Sequence, residues 1–201
     1  DEAPPGRSDP EEPWPPEIHQ IRQVLADSHP DVGRFQDSFR DEAVPPRGIW
    51  VLDCVLVEPD EWWIGIHRTD SPESHYPGGK FPIVLPEYAV SRAYLKIEEA
   101  LRWSGFRIPS GARWAELGSA PGGASQALLD RGYEVLGVDP AEMHPVVLSH
   151  PRFTHLRRRT PQAPRRAFRK IRWLTADINA APNYTLDAVE SIVTYPEVNI
   201  R

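Results

Sequence analysis

The sequence predicts an α/β protein with a parallel sheet flanked by helices over residues 86–201, preceded by a small β-rich module within residues 1–85. Three observations predict it. From Ser91 onward helical and strand patterns alternate, the rhythm of a parallel sheet with crossover helices. The segment Glu116-Leu-Gly-Ser-Ala-Pro-Gly-Gly123 separates a strand pattern from a helix pattern, and an acid, Asp139, follows 21 residues after Gly118 at the end of the next strand. Upstream, Gly48 to Leu56 and Glu61 to His67 are rich in Val, Ile and Trp and are joined by Pro59-Asp60, which predicts a β-hairpin.

The elements follow in order. Residues 1–16 are rich in Pro, Glu and Asp and predict no fixed structure. Glu17 to Ala26 carries a weak helical pattern, with Ile18, Ile21 and Leu25 near one face. After the hairpin, Ser71 to Pro86 is a linker or crossing loop containing Pro77-Gly-Gly79. Ser91 is placed to cap a helix that runs to Ser104, and Gly105 sits where the chain leaves it. Trp114 to Leu117, Glu134 to Val138, Phe153 to Leu156 and Arg172 to Ala176 read as strands. Gly123 to Arg131 and Thr185 to Val193 read as helices.

Composition bounds the function. One cysteine, Cys54, among 201 residues allows no internal disulfide and no thiolate metal cluster, which fits a reducing cytoplasm. His67, His75, His144, His150 and His155 lack metal-ligand spacing, so no metal is expected. The N-terminus is acidic and Pro-rich, unlike a secretory signal. The longest apolar run, Ile49 to Val57, is broken by Asp53 and too short to span a bilayer, so no membrane is expected. The sequence lacks an initiator methionine and stops after Val198-Asn199-Ile200-Arg201, so a fragment with an incomplete sheet is expected. The net charge is −6, yet residues 1–61 hold 15 acidic and 5 basic side chains while residues 152–172 hold nine Arg or Lys and no acid. Such a basic stretch suits a localised phosphate contact; charge alone equally allows a solvated, partly disordered loop.

The glycine loop carries the chemistry. Gly118 permits a sharp exit from the strand, and Gly122 and Gly123 lack side chains that would keep a ligand from backbone amides. Asp139 is placed to accept hydrogen bonds from a cofactor ribose. The spacing is not G-x-G-x-x-G, no Lys-Ser or Lys-Thr follows, and Pro121 removes a backbone donor that a pyrophosphate would use. NAD and P-loop nucleotides therefore fit poorly. Glu116 can face a cationic α-amino group, which suits a methionine moiety. A tight turn without a ligand is the alternative. Ser119 and Ser125 have no histidine at a recognisable offset for a hydrolase. Trp62-Trp63 are expected to pack and not to stack on RNA bases.

Glu116-Leu-Gly-Ser-Ala-Pro-Gly-Gly-Ala-Ser-Gln126 resembles the first cofactor motif of FtsJ-like ribose 2′-O-methyltransferases. Ser91-Arg-Ala-Tyr-Leu-Lys-Ile97 is similar to the Ser-Arg-x-x-x-Lys-Leu helix of that family. Lys80-Phe81-Pro82 before it resembles the branch that modifies a cytidine ribose of bacterial large-subunit ribosomal RNA (RlmM-like), in which an RNA-binding region precedes the catalytic domain. The resemblance implies a Rossmann-like methyltransferase sheet that binds S-adenosyl-L-methionine through Glu116, Gly118, Ser119, Ala120, Pro121, Gly122, Gly123, Asp139 and Asp177. It implies RNA as the partner, ribosomal RNA in that branch, and transfer of methyl to a ribose 2′-hydroxyl. Of the family's Lys-Asp-Lys-Glu catalytic set it places the first lysine at Lys96 and the aspartate at Asp177; the others are expected beyond Arg201. The acid that contacts adenine after the third strand is replaced here by the Arg157-Arg158-Arg159 region. Two other readings stand beside this one. The first is a cofactor- or RNA-binding protein of the same fold without catalysis. The second, methylation of a base or protein nitrogen, is disfavoured by Asp177-Ile-Asn-Ala where such enzymes carry Asn/Asp-Pro-Pro.

Overall fold

The computed structural model describes residues 44–58, 60–76, 79 and 81–200, with a few helical positions between 20 and 27. Most of the helix expected over Glu17 to Ala26, the turn residue Pro59 and the motif residue Lys80 lie outside the described residues. The chain divides into two compact units, Asp1–Pro82 and Ile83–Arg201.

In the first unit, β1 (Trp50–Glu58) pairs antiparallel with β2 (Glu61–Arg68). The register places Leu52 opposite Ile66, Cys54 opposite Ile64 and Leu56 opposite Trp62, and it shifts between Leu56 and Glu58. These residues share one side of the ribbon, because side chains alternate along a strand. A two-stranded ribbon has no second layer of its own, so Trp50 and Ile66 remain 72% and 70% exposed. Trp62 and Trp63 are likewise exposed, and the Trp63 indole donates to Glu61 at 2.9 Å. Thr69 closes the ribbon's open end, its hydroxyl donating to the Pro46 carbonyl at 2.6 Å. His67 lies between two acceptors, Asp53 Oδ2 at 2.5 Å from Nδ1 and the Ser74 carbonyl at 2.8 Å from Nε2. That pair of contacts ties the short 3₁₀ turn Glu73–His75 to β2.

The second unit is a four-stranded parallel sheet in the order β5-β4-β3-β6. Its strands are β3 (Arg113–Leu117), β4 (Glu134–Val138), β5 (Phe153–Leu156) and β6 (Trp173–Ala176). The helices are α1 (Ala93–Ser104), α2 (Gly123–Asp130), α3 (Pro145–Leu148) and α4 (Pro182–Val193). From β3 the chain steps outward to β4 and β5, then crosses back to place β6 on the other side of β3. The sheet's two faces bury separate clusters. Trp114 and Val135 pack with Tyr94, Ile97, Ala127 and Leu128 under α1 and α2. Ala115, Leu117 and Val138 pack with Phe168, Ile171 and Ile192 on the opposite face. The helix α2 is buried from Gly123 to Leu129, and its polar side chains there are paired, Ser125 with Glu116 and Gln126 with the Val90 amide and the Tyr88 carbonyl. It is joined to α1 by a bidentate Arg131–Glu98 pair at 2.6 and 2.7 Å.

Three local expectations need correction. The residue at the N-cap of α1 is Arg92, without a side-chain cap; the Ser91 hydroxyl is buried with no hydrogen-bond partner. Its place is fixed by tertiary contact, since a Cβ on Gly123 would collide with Ser91 Oγ and come within 3.1 Å of the Tyr94 nitrogen. The last helix, expected from Thr185, begins about a turn earlier at Pro182, with Ala181 at its cap. Residues 157–172 do not form a disordered loop. They make the crossover from β5 to β6 through two 3₁₀ turns, Thr160–Gln162 and Arg165–Phe168, with Ala163, Phe168 and Ile171 buried against the sheet.

Candidate functional site

Where the strand order reverses, beside β3, the carboxyl ends of the strands splay apart and leave a crevice, the usual ligand position in an open α/β sheet. Here the crevice is a cleft of about 510 Å³ lined by Gly118, Val138, Asp139, Arg159, Asn179 and Tyr184, among others. That is within the range of roughly 300–1,000 Å³ typical of small-molecule sites.

The loop leaving β3 forms one wall. Gly118 has φ 80°, and a Cβ there would strike the Asp177 carbonyl oxygen and approach Ile178 Cα to 3.0 Å. The glycine therefore lets the β3 and β6 exits meet. Gly122 has φ 118°, and its missing side chain leaves room for Val147 and Met143, at 2.9 and 3.0 Å from an added Cβ. The space at Gly122 and Gly123, read from sequence as room for a ligand, is filled by the protein's own α3 and α1 segments. Ser119 is buried with its hydroxyl 3.6 Å from Met143 Sδ. The Ala120–Pro121 peptide is cis, and the Pro121 carbonyl accepts from the His144 amide at 2.9 Å.

Two carboxylates hold the loop. Asp139, at the end of β4, accepts from the Ala120 amide at 3.1 Å and from the Ala141 amide at 2.7 Å. A carboxylate has about four acceptor positions, so it retains capacity for a ligand hydroxyl. Glu116, 2% exposed, accepts a hydrogen bond from the Ser125 hydroxyl on α2. Burial pushes its carboxyl up to about 8, the nearby Asp177 and Asp139 carboxylates add to the rise, and the Ser125 hydrogen bond opposes it. An uncharged Glu116 is the cheaper state without a cation beside it.

On the far side of Gly118, Lys96 Nζ on α1 meets Asp177 Oδ2 at 2.8 Å, just past the end of β6. The two side chains are 61% and 53% exposed, open to a large substrate. Sequence reasoning missed Thr160, Asn179 and Tyr184, which line the cleft together with Arg159 of the arginine run. Their one signal is position, directly after strand ends or in the first turn of α4. Among the described residues no group of three His, Cys, Asp or Glu is placed to hold a metal ion, and no helix is long and apolar enough to cross a membrane.

A glycine turn, an acid at the end of the following strand and a switch-point cleft on a parallel sheet are the features of the Rossmann-like class. The model of the FtsJ-like methyltransferase family matches residues 89–198, which contain Lys96, the loop and Asp177, and the chain belongs to that family. It is 31% identical over 143 residues to Ribosomal RNA large subunit methyltransferase M of Marinobacter nauticus, covering 67% of this chain and 38% of that protein. It is 34% identical over 136 residues to the protein of the same name from Xylella fastidiosa, covering 63% of this chain and 33% of that one. The chain thus spans about a third of these relatives' lengths. A solved ribosomal RNA methyltransferase structure from Plasmodium falciparum matches with a TM-score of 0.43 at 16% identity, over 55% of this chain and 72% of that one.

Proposed function

We propose that this chain carries the methyl-transfer site of an S-adenosyl-L-methionine-dependent enzyme acting on a ribose 2′-hydroxyl of ribosomal RNA. The observation that carries the proposal is the Lys96–Asp177 pair at 2.8 Å, with the Asp177 backbone lying against the cleft-lining Gly118. The names of the relatives support the RNA class.

The residues present fit the cofactor. The cleft has the required size, Asp139 has free acceptor capacity for ribose hydroxyls, and Glu116 offers a buried carboxyl for an ammonium group. When bound, the cofactor supplies an electrophilic methyl group on a sulfonium. The chain's own residues then position the acceptor. Lys96, steadied by Asp177 through a charge-assisted hydrogen bond, donates to the ribose 2′-oxygen and offsets the charge left on it as the hydroxyl proton passes to a general base supplied by the rest of the family's catalytic set in the full-length protein. Holding that oxygen in line is itself a large part of such a reaction. Of the basic stretch, Arg157 is tied to Glu142 and Pro140, Arg165 to Ser191, and Arg169 to Glu197. Arg158, Arg166 and Lys170 are exposed and remain for phosphates.

The test combines calorimetry of cofactor binding with nucleoside mass spectrometry of ribosomal RNA incubated with the full-length natural protein. Lys96→Ala is expected to hold the cofactor within about threefold and to lose methyl transfer by about a hundredfold or more. A methyl group found on a base nitrogen, or full activity in the variant, rejects the proposal.

A further inference from the structure

We infer that Arg159 reads the nucleobase of the bound cofactor by donating to a base acceptor, so that the site does not demand the exocyclic amino group of adenine. The inference rests on the cofactor reading above and deepens it.

The ligand's layout follows from the strand ends. With its methionine end at the β3 exit by Glu116 and its ribose at Asp139, the base must lie further out, toward β5. The wall there begins just beyond Leu156, where β5 ends and the crossover to β6 starts. Of the three consecutive arginines in that stretch, Arg159 lines the cleft. Arg157 does not line it, and its guanidinium is engaged 3.2 Å from both Glu142 Oε1 and the Pro140 carbonyl. The Arg159 side chain is exposed and makes no hydrogen bond or ion pair among the described residues, so its donors are free. The charged side chains lining the cleft are Asp139 and Arg159 alone, and Asp139 already receives the Ala120 and Ala141 amides.

A guanidinium has five donors and no acceptor. It can reward the ring nitrogens of adenine but not its amino group, which is itself a donor. Hypoxanthine carries an oxygen at that position, and a purine O6 with N7 is the pair that arginine grips bidentately. A carboxylate in the same place would do the reverse, accepting from the amino group and repelling the oxygen. Arg159 therefore sets a base preference by charge sign and donor direction, and it does so from a segment whose backbone is fixed by buried Thr160 and Ala163.

The test titrates the full chain with S-adenosyl-L-homocysteine and with its deaminated analogue, S-inosyl-L-homocysteine. Wild type is expected to bind the two within about threefold of each other. Arg159→Ala is expected to weaken both by about tenfold, the scale of a charged hydrogen bond. Arg159→Glu is expected to favour the adenosyl ligand by about tenfold or more. Wild-type rejection of the inosyl ligand by about a hundredfold overturns the inference, because another group then reads the amino donor. Unchanged binding of both ligands by Arg159→Ala overturns it too; if that variant instead loses affinity for ribosomal RNA, the guanidinium belongs to a phosphate. Absence of binding of either ligand by wild type removes the cofactor reading itself, and this inference with it.

Discussion

Replacing Glu116 by Gln isolates the energetic consequence of a buried carboxyl. Glutamine keeps the shape and a carbonyl for the Ser125 hydroxyl, but it cannot ionise. In the folded protein the Glu116 carboxyl is raised from 4.5 to about 8, chiefly by burial. Between those values the folded chain holds a proton that the unfolded chain has released, so stability falls as pH rises. The slope is about 1.4 kcal/mol per pH unit, and the loss ends once pH passes about 8. From pH 5.5 to 7.5 the variant is therefore expected to gain about 3 kcal/mol relative to wild type. For a chain of this length that corresponds to roughly 6–12 °C in the difference of melting temperatures. Thermal unfolding of both proteins at several pH values measures it, and groups common to both cancel in the difference. A melting-temperature difference independent of pH between 5 and 8 would refute the reasoning, because Glu116 would then titrate alike in both states.

Three further outcomes follow from the packing. Gly118→Ala places a methyl group on the Asp177 carbonyl at a positive φ, and a loss of about 3 kcal/mol is expected in urea denaturation; a loss under about 1 kcal/mol would show that the β6 exit can move aside. Phe168→Ala empties the centre of the crossover's core, for an expected cost of about 3–5 kcal/mol by the same assay, and a near-neutral change would mean that the 3₁₀ segment does not anchor that face. The Ser74 carbonyl first, and then Asp53, raise the His67 imidazole above 6.5. The stabilisation from its charged form is complete below 6.5 and lost as pH climbs through the raised value. An NMR titration should place the His67 midpoint above 6.5 and show it falling in Asp53→Asn; identical midpoints would refute the assignment.

The order of strands and helices was legible because each carries its own period. The strands Glu134–Val138 and Phe153–Leu156 begin and end where that period does. The crossover was not legible. Pro161 and Pro164 break any helical pattern, and Ala163, Phe168 and Ile171 reach the core at spacings that match neither strand nor helix. A run of arginines there reads as solvent-facing, although its backbone lies against the sheet. The glycines were legible as positions that need no side chain, but not in what replaces it. For Gly122 and Gly123 the occupant is the chain's own Val147, Met143 and Ser91, a tertiary fact that local sequence does not contain. Lys96 and Asp177 stand 81 residues apart, and only resemblance to a family suggested pairing them. Arg157, Arg158 and Arg159 are indistinguishable as letters; the turn after β5 gives each a different direction.

The missing side chain of Gly123 has a mechanical meaning. Because α2 begins in contact with Ser91 and the Tyr94 backbone, and Arg131 clasps Glu98 further along, α1 is pinned at two points to the helix that follows the glycine loop. Lys96 lies between those two pins. The loop and the lysine therefore share one rigid frame, and neither can drift without carrying the other. In the proposed reaction, the spacing between methyl donor and methyl acceptor is then gauged by how closely two helix backbones approach. A larger residue at 91 or 123 would reset that gauge while leaving every reacting group in the sequence unchanged.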